Sequence, residues 1–149
     1  MKKQKSLKSK KELISREIYN KILYGLELEQ IILIDAKASF EIAKINLPEK
    51  SGNIDVDPKE NVKVSFEDKN LIGTHGLKLI GKIKDQKLFE ISCTFVCLFK
   101  SKEKLSKEFA ERFKQRNLRI YTVPYLREFI QNMSLRMCMP PLVLPMYKR

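Results

Sequence analysis

Histidine is the side chain best suited to proton transfer near neutral pH, and the sequence has a single one, His75, in the segment GTHG. A histidine that acts as a general base needs a reacting group or an orienting carboxylate within hydrogen-bonding distance. The sequence shows no such partner, and flanking glycines are typical of a turn. We therefore predict that His75 is a solvated loop residue and not a catalytic base.

Cysteines and carboxylates are the other candidates for chemistry, and their spacing fits no known site. Cys93 and Cys97 are four apart in a strand-like segment, which separates their Cα atoms by about 13 Å, whereas one zinc ion needs every sulfur at ~2.3 Å. Asp55, Asp57 and Glu60 lack the glycine and the final glutamate of a calcium loop, and no glycine-rich phosphate loop is present. The sequence gives no basis for an enzyme, and we expect no metal or cofactor.

The charge is large and unevenly placed. The net charge is +12, and residues 1–25 carry eight Lys or Arg against two Glu, whereas residues 26–99 carry ten against twelve acidic residues. Such an excess favours anionic partners or acidic protein surfaces. A basic nucleic-acid-binding module is therefore the alternative function, but the strands lack the aromatic pairs and glycines of an RNA-recognition sheet.

The sequence also predicts a compartment. A charged leader is not followed by an apolar run, and no window approaches the roughly 20 apolar residues of a membrane span. The three cysteines are an odd number. We expect a cytoplasmic protein with reduced thiols.

The elements that would position these residues follow from the apolar periodicity. Helical spacing over 10–24, with Gly25 as a stop, predicts a first helix. Four segments have strand-like composition: residues 28–43, 62–66, 77–84 and 88–99. The last is the clearest, because its odd-numbered side chains, from Phe89 to Phe99, are all apolar. Segments 46–61 and 68–76 are predicted loops, and Asp85-Gln86 is a predicted hairpin turn.

Two helices are predicted to follow the strands. Leu105, Phe109 and Phe113 recur at steps of four and indicate a basic amphipathic helix. Residues 119–123 would then link it to a last helix with Pro124 at its first position, and Pro140-Pro141 would end it. Strands in one run with helices outside it predict an α+β fold with an antiparallel sheet. We predict a basic arm and helix over 1–25 and the main domain over 26–149.

The carboxyl-terminal segment VPYLREFIQNMSLRMCMPPLVLP resembles the SecB family of export chaperones. The matching residues are Pro124, Tyr125, Arg127, Glu128, Arg136, Pro140, Leu142 and Leu144. The segments KASFE, NVKVSFEDKN and FEISCTFVCLF resemble strands of that family. The resemblance covers about residues 28–146 and is strongest in the last quarter.

This resemblance implies a four-stranded antiparallel sheet with helices packed on one face. It implies a homo-oligomer, a dimer of dimers, that binds unfolded or slowly folding polypeptides in apolar grooves without nucleotide. Such a groove must stay open although burial would gain roughly 25 cal/mol per Å². Proline-interrupted segments and adaptable methionines suit that purpose.

Residue roles are implied by the same resemblance. The expected client-binding groove comprises Val62, Val64, Phe66, Leu142, Leu144 and Met146. The expected oligomer interface comprises Ile91, Cys93 and Phe95, and Glu41 is the expected contact with the motor SecA. Three departures point to a divergent branch, some members of which protect an antitoxin instead of exporting preproteins. The family's final helix is missing, Lys37 stands where an acidic residue is usual, and Met137 replaces the glycine that usually ends the helix.

Overall fold

In this computed structural model, which describes residues 14–41 and 54–144, the chain forms a four-stranded sheet and three helices. In chain order the elements are α1 (Arg16–Tyr24), β1 (Leu26–Phe40), β2 (Asp55–Glu67), β3 (Asn70–Ile83), β4 (Gln86–Ser101), α2 (Lys107–Arg116) and α3 (Leu118–Arg136). The predicted order of one helix, four strands and two helices is confirmed. Residues 140–144 follow α3 without regular structure.

The strands are antiparallel and lie in the order β1-β4-β3-β2, so that β1 and β2 form the two edges. The central strand β4 pairs with β1 from Ser101 to Phe89 and with β3 along almost its whole length. The predicted fold class, α+β with a four-stranded antiparallel sheet and helices on one face, is confirmed.

Alternation in β3 and β4 separates the two faces of the sheet. One face, here named the covered face, packs against α2 and α3 and carries the buried residues Leu71, Leu77, Leu79, Phe89, Ile91, Cys93, Phe95, Cys97 and Phe99. The other, named the open face, carries half-exposed or exposed residues, among them Ile72, Thr74, Lys78, Ile80, Ser92, Val96 and Leu98. Burial of one face explains why the odd-numbered residues of β4 are uniformly apolar.

Two apolar clusters fill the space under the helices. In the first, the predicted stripe is buried: Phe109 and Phe113 lie on α2, and Leu105 lies two residues before its start. The ring of Phe113 meets Phe99 edge-on at a centroid distance of 5.2 Å. In the second, Leu126 and Ile130 of α3 pack against β4. The two helices therefore hold opposite ends of the covered face.

Two predicted loops are strands in part: residues 55–61 belong to β2 and residues 70–76 to β3, whereas residues 46–53 of the first loop lie outside the described residues. The two strands pair in register from Asp55 opposite Lys82 to Glu67 opposite Asn70. Asp, Asn and Gly are poor strand formers, but the buried strand β4 supplies backbone partners for residues 70–76. The predicted hairpin turn is confirmed one residue earlier: Lys84 and Asp85 have φ of 47° and 62°, as a two-residue primed turn requires.

The predicted start of the last helix is wrong. α3 begins at Leu118, and Pro124 lies inside it, where the proline ring cannot donate a hydrogen bond to the preceding turn. Contacts with the sheet hold that first turn: Leu118 is fully buried beside Gly73, and Thr122 is fully buried against His75. Tertiary packing therefore overrides the local signal of the proline.

The amino-terminal helix belongs to the same core. α1 begins after Ser15, whose Oγ accepts a hydrogen bond from Ile18 N, and it ends at Gly25 as predicted; Ile14 and Ser15, predicted to be helical, precede it. Tyr19 and Ile22 are buried in the first cluster. The lysine-rich residues 1–13 lie outside the described residues, and the domain boundary at residue 25 stays a prediction.

Candidate functional site: an apolar groove along edge strand β2

The edge strand β2 exposes apolar side chains on the side that faces the helices. Val62 pairs with His75, Val64 with Gly73 and Phe66 with Leu71, so all three point to the covered face. Val62 and Val64 are half-buried, whereas Phe66 is 37% exposed and Val56, farther along the strand, 38%. A strand with one neighbour in the sheet also presents unpaired backbone groups along its outer edge.

An open cavity of about 400 Å³ lies against this strand. Its lining residues are Val62, Lys63, Val64, Ser65, Ile72, Thr74 and Lys114. Val62 and Val64, two of the predicted groove residues, are therefore brought together at a concave surface. Phe66 lies two residues beyond, on the same side of β2. The cavity lining thus combines three apolar side chains with two lysines and two hydroxyl groups.

The carboxyl-terminal half of the predicted groove lies elsewhere. Leu142 and Leu144 are half-buried against the second cluster, whereas Val62 and Val64 pack against the first. The backbone N–H of Leu142 donates to Ser134 Oγ at 3.1 Å, which folds the segment back onto α3. Met146 lies outside the described residues. The structure therefore divides the predicted groove into two apolar surfaces.

The predicted interface residues belong to the interior of the protomer. Ile91 is 0%, Cys93 1% and Phe95 8% exposed, and all three pack in the second cluster under α3. Burial raises the pKa of the Cys93 thiol to about 12, so that it stays neutral. These side chains already have partners within one chain, and their role between protomers stays a prediction.

Glu41 lies exposed just beyond β1, where its backbone N–H donates to Leu88 O at 2.8 Å. On the same side of the sheet, three lysines surround the carboxylate of Glu90. The neighbourhood is therefore not the acidic surface that the resemblance implies for SecA docking. The contact of Glu41 with SecA stays a prediction.

The prediction for His75 is wrong, because the residue lies in β3 and is 1% exposed. Its Nε2 lies 2.7 Å from Glu60 Oε1, and its Nδ1 lies 2.5 Å from Thr122 Oγ1. The guanidinium of Arg119 donates to both carboxylate oxygens of Glu60, at 2.9 and 3.1 Å. We name these four residues the polar cluster; it ties β2 to α3 directly beside Val62.

Charge and burial shift the pKa values of Glu60 and His75 in opposite directions. The hydrogen bond from Arg119 holds the pKa of Glu60 below its ordinary value. Burial lowers the pKa of His75, although the carboxylate of Glu60 opposes that effect. The Thr122 hydroxyl can donate either to Leu118 O, 3.1 Å away, or to a neutral His75 ring. The buried hydroxyl and imidazole are closed to a substrate, so the arrangement is a structural tie.

One pattern in the sequence could have indicated that His75 is buried. Leu71, Gly73, His75, Leu77 and Leu79 alternate as a buried strand face would, but the glycines and the histidine concealed the pattern. Among the described residues, no group of three or more His, Cys, Asp or Glu could hold a metal ion. None of the described helices is long and apolar enough to span a membrane.

The structure resembles that of a known chaperone. A SecB-like chaperone of Mycobacterium tuberculosis, solved in complex with a ChAD peptide from an antitoxin, superposes with a TM-score of 0.73 at 16% identity, over 90% of this chain and 99% of that one. A protein of unknown function from Streptococcus agalactiae matches 81% of this chain and 97% of its own at 13% identity, with a TM-score of 0.46, too low to support an argument. No protein-family model and no curated protein matches the sequence.

At 16% identity the first of these likenesses concerns the fold. It agrees with the resemblance read from the carboxyl-terminal segment, and it covers the sheet and the helices alike. The chain has a SecB-like fold.

Proposed function

We propose that this protein is an ATP-independent molecular chaperone that holds unfolded or slowly folding polypeptides against β2. The observation that supports the proposal is the apolar side of this edge strand, where Val62, Val64 and Phe66 remain partly exposed beside a cavity of about 400 Å³. The SecB-like fold adds support, because the chaperone with that fold was solved with a bound peptide.

Two physical features suit such an edge strand to unfolded chains. Its open backbone edge can hydrogen-bond to any extended peptide, whatever the sequence. Its valines and phenylalanine would gain roughly 25 cal/mol for each Å² of apolar surface buried by the client. Neither interaction selects a particular order of side chains in the client. This suits a holdase, which must bind many different sequences. Leu142 and Leu144 provide a second half-buried apolar surface for a longer client.

The client class is a polypeptide, either an antitoxin or a preprotein for export. The antitoxin is favoured, because the SecB-like chaperone with the same fold was solved with an antitoxin peptide. Docking of SecA is less well supported, since the surroundings of Glu41 include the lysines around Glu90. We place the protein in the cytoplasm on the sequence argument.

The other edge strand supports a homo-oligomer. β1 runs for 15 residues and is exposed over most of its length, with Leu33 at 43% and Ile34 at 58% exposure. A long edge strand with exposed apolar side chains favours pairing with a second chain. Pairing of two β1 strands would join two sheets into one, and two such pairs would give the dimer of dimers that the SecB family shows.

An aggregation assay tests the proposal. The full chain is mixed with a chemically denatured test protein, and light scattering is followed on dilution without ATP. We expect suppression near equimolar ratio, unchanged when ATP is added. Val62→Thr combined with Val64→Thr keeps the side-chain shape but adds hydroxyls, and should remove at least about half of the suppression because hydroxyl burial is costly.

Val96→Thr is the matched control, because Val96 is a half-buried valine on the open face. It should suppress aggregation as the unmodified chain does. If the unmodified chain leaves scattering unchanged, the chaperone proposal fails. Retention on DNA that falls steeply with salt would instead favour the alternative, a nucleic-acid-binding module.

A further inference from the structure

One row of residues across the open face is rich in lysine. Lys37 of β1 and Lys78 of β3 both pair with Ser92 of β4, and Lys59 of β2 pairs with Lys78. Paired residues on neighbouring strands point to the same side of a sheet. The three lysines and Ser92 therefore form one line across all four strands, here named the lysine row, over three strand spacings or about 14 Å.

A buried carboxylate organises one end of this row. Glu90 Oε1 lies 3.2 Å from Lys37 Nζ and 3.1 Å from Lys78 Nζ, and Lys87 Nζ binds Oε2. The Glu90 side chain is 6% exposed, whereas those of Lys37 and Lys78 are 60% and 42% exposed. Three ammonium groups thus share one carboxylate, and their positions are fixed while their outer surfaces face solvent.

The lysines oppose each other in a way that the protomer alone does not favour. Lys59 lies directly opposite Lys78, and Lys82 directly opposite Lys87. Like charges at directly opposite positions of neighbouring strands are destabilising. Glu90 offsets part of this repulsion through its ion pairs with Lys78 and Lys87, and an anionic partner would offset the rest.

The surroundings restrict what that partner can be. Asp35, paired with Thr94, lies in the row on one side of the lysine row, and Asp57, paired with Ile80, lies in the row on the other side. A nucleic-acid backbone would meet these carboxylates, whereas a short acidic segment can cross the strands between them. The half-buried Ile80, in the adjacent row, offers an apolar contact nearby.

We propose that the lysine row docks an acidic segment of a partner polypeptide, one whose carboxylates are interspersed with apolar side chains. Val62 and Val64 point to the opposite face of the sheet, and the open-face residues that line the cavity, among them Lys63 and Thr74, lie four positions along their strands from Lys59 and Lys78. The proposal therefore does not depend on the proposed chaperone function.

Fluorescence anisotropy with labelled peptides tests this inference on the full chain. The probe is a 12-residue peptide of alternating Glu and Val, and the reference peptide has Gln in place of Glu. At about 50 mM salt, where surface charges are weakly screened, the acidic peptide should bind and the reference should not. Lys59→Gln combined with Lys78→Gln should weaken binding by at least about tenfold, because both lysines are direct charge partners.

Lys102→Gln combined with Lys104→Gln is the matched control. It removes the same charge from two exposed lysines beyond the end of β4, and should change the affinity by less than about twofold. Thermal unfolding of each variant checks the fold, and Lys59→Gln alone, at an exposed edge position, serves if the double variant unfolds. Equal losses in both double variants would show that net charge alone attracts the peptide and would overturn the proposal. Tighter binding of a 20-nucleotide single strand, weakened by the row variant, would also overturn it.

Discussion

The Arg119 guanidinium of α3 donates two hydrogen bonds, of 2.9 and 3.1 Å, to the Glu60 carboxylate of β2. The pair closes one side of the candidate groove, because Glu60 lies between the apolar residues Pro58 and Val62 on the same side of the strand. His75 backs the carboxylate from the interior at 2.7 Å. The edge strand β2 is thus tied to α3 through the polar cluster.

Removing the guanidinium should loosen this attachment. Arg119→Ala leaves Glu60 with His75 as its remaining partner. Hydrogen bonds to charged groups contribute about 1.5–3 kcal/mol, but the 40% exposure of Glu60 reduces this contribution. We therefore expect the free energy of unfolding to fall by about 1 kcal/mol. Urea denaturation measures the change. Lys102→Ala, which removes an exposed ion pair with Glu27 at 3.6 Å, should change stability by less than half as much; equal effects would contradict the prediction.

The burial of His75 makes stability depend on pH. Burial lowers its pKa from the ordinary value of 6.5, so that below pH 6.5 the unfolded chain binds the proton more readily than the folded one. Stability should therefore be fully present above pH 6.5 and fall on acidification, by at most about 1.4 kcal/mol per pH unit. Since His75 is the single histidine, urea denaturation between pH 5 and 8 isolates this effect.

His75→Gln is the control for that measurement. It keeps a hydrogen-bonding side chain but does not titrate, so its stability should be nearly constant from pH 5 to 8. The lowered pKa of Glu60 produces a loss only below pH 4.5, outside that window. A wild-type protein that gained stability on acidification would show that attraction between Glu60 and a protonated His75 outweighs burial.

Gly81 allows the ring of Phe89 to lie flat against β3. A Cβ at this position would meet the ring at 2.0 to 2.4 Å, and Phe89 is fully buried. Gly81→Ala should therefore destabilise the protein by about 2–3 kcal/mol through overpacking. Gly76→Ala is the control, because the atom nearest to its Cβ would be Thr94 Oγ1 at 3.1 Å. It should cost less than about 1 kcal/mol, and thermal unfolding distinguishes the two variants.

The exposed edge of β1 should govern assembly. Ile34→Lys places a charge on the strand that we propose to pair between protomers, and should shift the protein from oligomer to smaller species, because a lysine on an edge strand opposes edge pairing. Size-exclusion chromatography with light scattering measures the mass. Val143→Lys, at a residue 69% exposed outside the sheet, should leave the mass unchanged, and a monomeric wild-type protein would contradict the assembly.

The sequence by itself determined the order of elements, the antiparallel sheet and the covered face of β4. These follow from local periodicity: alternating apolar residues from Phe89 to Phe99 can only bury one side of a strand, and Leu105, Phe109 and Phe113 can only bury one side of a helix. The carboxyl-terminal resemblance also depends on local spacing, and the SecB-like fold confirms it.

Only the tertiary structure decided the positions that depend on distant partners. Asn70, Gly73 and Gly76 are poor strand formers, but pairing with β4 makes residues 70–76 a strand and buries His75 against Thr122, 47 positions away in the chain. Pro124 locally indicates the start of a helix, yet α3 begins at Leu118, which the sheet holds in place together with Thr122. Register likewise set Lys59, Lys78 and Lys37 in one row, because cross-strand neighbours are chosen by pairing and not by position along the chain.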